Sequence, residues 1–155
     1  MNTKHKIYLA EESDTLSLGK RLARRLWPGC AMYLRGELGV GKTTLVRGVL
    51  RGLGFQDKVK SPSFTLVESY VISGLNVYHL DLYRFTDPGE LEELGFREYF
   101  NTQSLCIVEW PQKAHGLLPV ADIEVHLSIA DGGRNAEIEA YSAAGEVCLR
   151  RLPER

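Results

Sequence analysis

The chain has 155 residues, room for one domain and little for a separate substrate domain. Its 19 basic and 20 acidic residues leave a net charge of -1, which argues against a protein that coats DNA or RNA by charge alone. The three cysteines, Cys30, Cys106 and Cys148, lie far apart in apolar runs, so buried thiols are expected rather than a disulfide framework or a zinc ribbon.

In chain order, the N-terminal MNTKHKIYLAEESD lacks the long apolar core of a signal peptide, and no run reaches the length of a membrane span. A reducing, cytoplasmic setting is expected. Ile7 to Leu9 predicts a short strand. Ser13 or Asp14 caps a helix to about Leu26, with Leu16, Leu22, Ala23 and Leu26 on one face and Lys20, Arg21, Arg24 and Arg25 on the other. Trp27-Pro28-Gly29 stops it. Ala31 to Leu34 reads as a buried strand, followed by a glycine-rich turn and a helix from about Lys42 to Leu53 that Gly54 ends.

The segment KVKSPSF is a loop, because Pro62 disfavours helix at Ser61. Phe64 to Ile72 and Val77 to Leu80 predict two strands. Only Ser73, Gly74, Leu75 and Asn76 separate them, too few to cross a sheet, so the pair is an antiparallel hairpin. Asp87-Pro88 opens a Glu-rich helical stretch, and Leu105 to Val108 is a short apolar strand. Ile123, Val125, Leu127 and Ile129 alternate with polar residues, as do Ala136, Ile138 and Ala140, with DGGRN between the runs. A last strand is predicted over Val147 to Leu149. The early chain thus reads strand–helix–strand and the late chain as an antiparallel meander.

Gly36-Glu37-Leu38-Gly39-Val40-Gly41-Lys42-Thr43 matches G-x-x-x-x-G-K-[ST], the P-loop pattern. Its glycines permit backbone angles that turn N–H groups toward phosphate oxygens. The helix that follows presents free N–H groups and the positive end of its dipole. Lys42 can bridge β- and γ-phosphates, the Thr43 hydroxyl can ligate Mg2+, and Thr44 continues the helix beside the phosphates. The motif sits between a predicted strand and a predicted helix, the context it requires.

A magnesium site needs an acid from a neighbouring strand end. Asp81 in VYHLDLYR and Glu109 in LCIVEWP each follow an apolar strand, and either can hold the ion directly or through water. In SPSFT, Ser61, Ser63 or Thr65 can supply a hydroxyl to a switch loop that senses the γ-phosphate, and a plain Ser-Pro turn is the equal alternative. Trp110 can stack on a ligand or pack in the core, with the core favoured slightly, while His79 and His126 read as packing residues within strands. The chain has no N-K-x-D string, and Asp81 begins DLYR rather than D-x-x-G, so an adenine nucleotide is expected over guanine. Nucleotide kinases are the competing enzyme class.

Taken together, GELGVGKTTLVRG, VKSPSFTLVESY, VYHLDLYR, LGFREYF and VEWP resemble the TsaE (YjeE) family in the same order, as does the helix DTLSLGKRLA ahead of the loop. The likeness runs from about Thr15 to Arg134. It implies an α/β, three-layer P-loop NTPase-like fold: a single domain over residues 1–155, with a mixed sheet that has a central parallel part, an antiparallel hairpin and a C-terminal meander. The implied activity is that of a weak, Mg2+-dependent ATPase that binds ATP or ADP and is stimulated by partners. It supports synthesis of threonylcarbamoyladenosine beside the tRNA anticodon. The implied partners are TsaD and TsaB, with tRNA reached through that complex and no membrane or DNA involved; the transfer of the threonylcarbamoyl group is left to TsaD.

By matching position, the resemblance implies Gly36, Glu37, Leu38, Gly39, Val40, Gly41, Lys42, Thr43 and Thr44 as the nucleotide loop, with Lys42 on phosphate and Thr43 on magnesium. It implies Glu109 as the magnesium acid, Asp81 as an acid of hydrolysis that orders the attacking water, and Trp110 as a residue tied to activity. It also implies Arg134 near the nucleotide and Thr15 near the base. Ser63 stands where many members have threonine, with the hydroxyl kept. Arg84, beside Asp81, is a candidate arginine finger or partner contact.

Overall fold

The computed structural model describes residues 3–62, 65–114 and 116–152. Its strands are β1 (Lys4–Leu9), β2 (Ala31–Arg35), β3 (Val67–Ile72), β4 (Leu75–Asp81), β5 (Ser104–Glu109), β6 (Ile123–Ala130) and β7 (Gly133–Ala140). The helices are α1 (Glu12–Ala23), α2 (Lys42–Leu53), α3 (Pro88–Leu94) and α4 (Ala143–Arg150). The strands form one mixed sheet in the order β1-β7-β6-β2-β5-β4-β3.

β6, β2, β5 and β4 run parallel to one another. Composition explains which strands take the middle. Every residue of β5 (SLCIVE) is buried, and β2 (AMYLR) is buried up to Arg35, as strands covered on both faces must be. β1 and β6 alternate and leave one face to solvent. The antiparallel pairs lie outside the parallel centre: β3 on β4 at one edge, β7 on β6 and β1 on β7 at the other. The C-terminal meander is therefore completed by the first strand of the chain.

Two cores sandwich the sheet. Leu18 and Leu22 of α1, Leu45 and Val49 of α2, and Cys148 and Leu149 of α4 pack with Met32, Leu34, Leu105 and Ile107 on one face. Leu91 of α3 and Phe96 pack with Tyr33, Leu80 and Val108 on the other. The helices α1 and α2 meet backbone to backbone: a Cβ on Gly48 would stand 2.4 Å from the Leu16 carbonyl oxygen. That contact fixes α2 against α1 and so fixes where the N-terminus of α2 points.

Several boundaries differ from the sequence expectation. The N-cap of α1 is Glu11, and Asp14 sits inside the first turn, its carboxylate accepting the Glu11 N–H at 3.0 Å. An Asp three residues inside a helix looks like a cap in sequence because it performs the reciprocal half of a capping box. The helix ends at Ala23, three residues before Leu26. The β3–β4 turn is only Ser73-Gly74, both with positive φ (50° and 84°), so β4 starts at Leu75. Phe64 lies outside the described residues, and β3 starts at Val67.

The expected strand over Val147 to Leu149 is helix α4 instead. Ser142 caps it, its hydroxyl accepting the Gly145 N–H at 3.0 Å, and Cys148 and Leu149 are on its buried side. All three cysteines are buried and free. Among the described residues, no helix is long and apolar enough to cross a membrane.

Candidate functional site

The loop between β2 and α2 departs from ordinary backbone at three glycines: Gly36 (φ 146°), Gly39 (φ 78°) and Gly41 (φ 113°). A Cβ on Gly36 would stand 2.6 Å from the Leu127 carbonyl oxygen and 2.8 Å from Val40 Cγ1, so angle and space both require glycine. Gly39 faces open space on the side a Cβ would occupy. The N-cap of α2 is Gly41, no side chain caps the helix, and its first turn carries no acid. Its unpaired N–H groups are thus available to an anion at the positive end of the helix dipole.

Lys42 closes this cradle. It is buried, and its Nζ donates to the carbonyl oxygens of Gly36 and, at 3.1 Å, Glu37. The ammonium also lies 4.3 Å from the centre of the Trp110 ring. Burial lowers its pKa, and the nearby Glu109, Asp81 and Glu37 oppose that fall.

The two candidate acids are the last residues of β4 and β5, and they are register partners: Asp81 stands opposite Glu109. Glu109 is 2% exposed. Its carboxylate accepts the Thr43 hydroxyl at 3.3 Å and meets His79 Nε2 at 2.6 Å. Asp81 Oδ1 accepts the Tyr83 N–H at 3.0 Å. Burial raises the Asp81 pKa above the usual carboxylate value; the Tyr83 N–H pulls it back, Glu109 pushes it further up, and His79 and Lys42 lower it.

Thr43 and Glu109 fit magnesium in chemistry, being hard oxygen donors at the rim of an anion cradle. Magnesium typically takes one or two carboxylates and completes its shell with phosphate oxygens and water. No group of three or more His, Cys, Asp and Glu able to hold a metal by itself occurs among the described residues.

Two cavities flank the loop and share Gly39, Gly41 and Thr44 in their walls. One, of about 250 Å³, is lined by Leu38, Lys42, Thr43, Ser61, Asp81, Glu109 and Trp110. The other, of about 290 Å³, brings Thr15 of α1 and Arg134 of β7 beside Val40. The Arg134 Nε donates to the Val40 carbonyl oxygen at 3.0 Å, tying β7 to the loop. Residues on α1, α2, β4, β5 and β7 thus converge on one loop, with carboxylates and lysine on one side and Thr15 and Arg134 on the other.

Trp110 is neither purely core nor purely site. Its backbone φ is 58°, its ring packs against the second core and lies 5.0 Å from the Tyr83 ring, and its exposed part walls the cavity under Lys42. Ser61 reaches the cavity, while the Thr65 hydroxyl is committed to Glu68 at 3.0 Å. Ser63 lies outside the described residues. Arg84 is exposed on the segment after Asp81.

The two histidines read as packing residues differ from that expectation. His126 is on the exposed face of β6. His79 is fully buried, but against the Glu109 carboxylate. The spacing H-x-D was the available signal: residues two apart in a strand share a face, so an acid at the strand end puts the histidine one pleat behind it.

The chain matches the family model described as "Threonylcarbamoyl adenosine biosynthesis protein TsaE" over residues 9–137, a span that includes every candidate site residue from Thr15 to Arg134. It is 48% identical over 144 residues to a Haemophilus influenzae protein named tRNA threonylcarbamoyladenosine biosynthesis protein TsaE, covering 90% of this chain and 91% of the relative. A Bacillus subtilis protein of the same name is 38% identical over 132 residues, covering 85% of this chain and 81% of the relative. Among solved structures, Bacillus subtilis YdiB aligns with a TM-score of 0.85 at 29% identity, covering 98% of this chain and 95% of that one. On family match, sequence identity and fold alike, the chain belongs to the TsaE family.

Proposed function

We propose that the chain binds ATP with magnesium at the glycine loop and hydrolyses it slowly. We further propose that this ATPase serves the formation of threonylcarbamoyladenosine beside the tRNA anticodon, acting in the cytoplasm with the TsaB–TsaD complex as a single domain that does not itself transfer the threonylcarbamoyl group. The observation that carries this reading is the in-register pair Asp81 and Glu109, which shares one cavity wall with Lys42 and Thr43. The relatives' names supply the pathway.

Hydrolysis of a phosphoanhydride depends mostly on positioning and charge neutralisation. The loop N–H groups and the N-terminus of α2 hold the phosphates. Lys42 exchanges its two carbonyl acceptors for phosphate oxygens. Thr43 and Glu109 hold magnesium, which when bound supplies positive charge to the phosphate oxygens. Asp81, steadied by the Tyr83 N–H, orients the attacking water. Thr15 and Arg134 wall the nucleoside side.

An arginine supplied to such a site is worth roughly 10³ to 10⁵ in rate. Arg84 is exposed three residues beyond Asp81, and a partner that turns it toward the phosphates is expected to raise a low basal rate. The test is a reconstituted modification reaction with TsaB–TsaD, tRNA, the threonylcarbamoyl donor and ATP. The wild type should hydrolyse ATP faster with the complex present, and Lys42→Ala should abolish both hydrolysis and repeated modification. A wild type that binds no nucleotide sinks the proposal.

One observation favours a second reading, in which occupancy rather than hydrolysis matters. Lys42 is held by loop carbonyls and the Trp110 ring, so nucleotide entry must itself rearrange the site. Asp81→Ala separates the two. If that variant binds ATP, does not hydrolyse it and still sustains repeated modification, the protein is a nucleotide-gated switch.

A further inference from the structure

We infer that His79 is a positioning residue for the Glu109 carboxylate, holding one of its oxygens so that the group stays presented to Thr43 and to a bound cation. This rests on Glu109 being the magnesium acid. His79 is on β4, two residues before Asp81, and is the register partner of Ile107, two residues before Glu109. The imidazole therefore lies one pleat behind the two acids, on the face they use. It is 0% exposed, and Nε2 is 2.6 Å from Glu109 Oε2.

An ionised carboxylate only accepts, so in the short contact Nε2 donates its N–H to Oε2. Nδ1 is buried and has no hydrogen-bond partner among the described residues. An unpaired polar atom in a core is costly, and Leu or Phe would fill the same space without it. The imidazole is thus a poor choice for packing and a good one for donating to Oε2.

Glu109 needs that donor. A carboxylate that is 2% exposed cannot rely on water, and its contacts to the Thr43 hydroxyl are long, 3.3 and 3.5 Å. The bond to His79 is the short one, and it comes from the interior side of the sheet, where it restricts rotation of the carboxylate. Partners of this kind commonly set the orientation and affinity of a ligating group.

The test reads binding, not turnover. The affinity of a non-hydrolysable ATP analogue is measured with Mg2+ and with EDTA, and the ratio gives the metal-dependent gain. His79→Asn is too short to reach Oε2 and should cut that gain about tenfold while leaving affinity in EDTA unchanged. His79→Gln can place an N–H where Nε2 stands and should restore it. His79→Leu, which fills space without offering a donor, should match His79→Asn and keeps the test open if the Asn variant folds poorly. An undiminished gain in the Asn and Leu variants, or a loss in Gln equal to theirs, overturns the assignment. A wild type without any gain, or an intact gain in Glu109→Gln, overturns instead the role of Glu109 beneath it.

Discussion

Asp81 and Glu109 end adjacent parallel strands in register, so two carboxylates stand side by side on the wall of one cavity. Like charges this close repel, and a fold keeps such a pair when cations belong beside it. Lys42 is one, and Glu109 and Asp81 both favour its charged form. On the proposed function the other would be a magnesium ion held by Thr43 and Glu109.

The raised pKa of Asp81 has a sign that can be checked. Burial is its first cause, and the folded value lies above the ordinary 3.8. The folded state thus holds the proton more tightly than the unfolded chain, and stability falls as pH rises from about 3.8 through the folded value. Asp81→Asn removes this loss. Its melting temperature should exceed that of the wild type at pH 7, and the two should converge at acid pH. An Asn variant less stable than the wild type at pH 7 contradicts this.

Asp81→Ala should leave ATP affinity within a few fold and lower hydrolysis about 100-fold, the scale of losing a group that positions or deprotonates the nucleophile. Single-turnover hydrolysis beside equilibrium binding separates the two effects. Equal losses in both would place Asp81 in binding instead.

Gly36→Ala should lower stability by about 2 kcal/mol and prevent nucleotide binding. Its φ of 146° disfavours any Cβ, and the added atom would press on the Leu127 carbonyl oxygen and on Val40. Urea unfolding of the variant reads the first effect, and a nucleotide titration reads the second.

Trp110, whose ring centre lies 4.3 Å from the Lys42 ammonium, should report occupancy if nucleotide draws that ammonium away. Trp27 is the other tryptophan in the chain. The fluorescence change on adding ATP should persist in Trp27→Phe and vanish in Trp110→Phe.

Much of the site was legible because its chemistry is local. G-x-x-x-x-G-K-T needs a strand before it and a helix after it, and α2 spans the expected Lys42 to Leu53. Both hairpins were legible, though each turn was drawn too long: four residues for Ser73-Gly74, and the five of DGGRN for Asp131-Gly132, since Gly133 to Asn135 belong to β7. What stayed hidden depends on distant partners. Val147 to Leu149 is too short an apolar run to tell strand from helix, and the cap at Ser142 decides it. The pairing of β1 with β7 joins residues more than 120 positions apart, beyond any local pattern. His79 looked like packing because its partner, Glu109, is on another strand. Thr15 and Arg134 carry no local signal, and only the sheet order brings them to one cavity.

The most direct test is calorimetric titration of ATP, with magnesium present, into the wild type and Lys42→Ala. The wild type should bind one ATP per chain, and Lys42→Ala should lose at least about tenfold in affinity, the weight of a charge-assisted hydrogen bond to phosphate. No binding by the wild type, or equal affinity in the two proteins, would contradict the account.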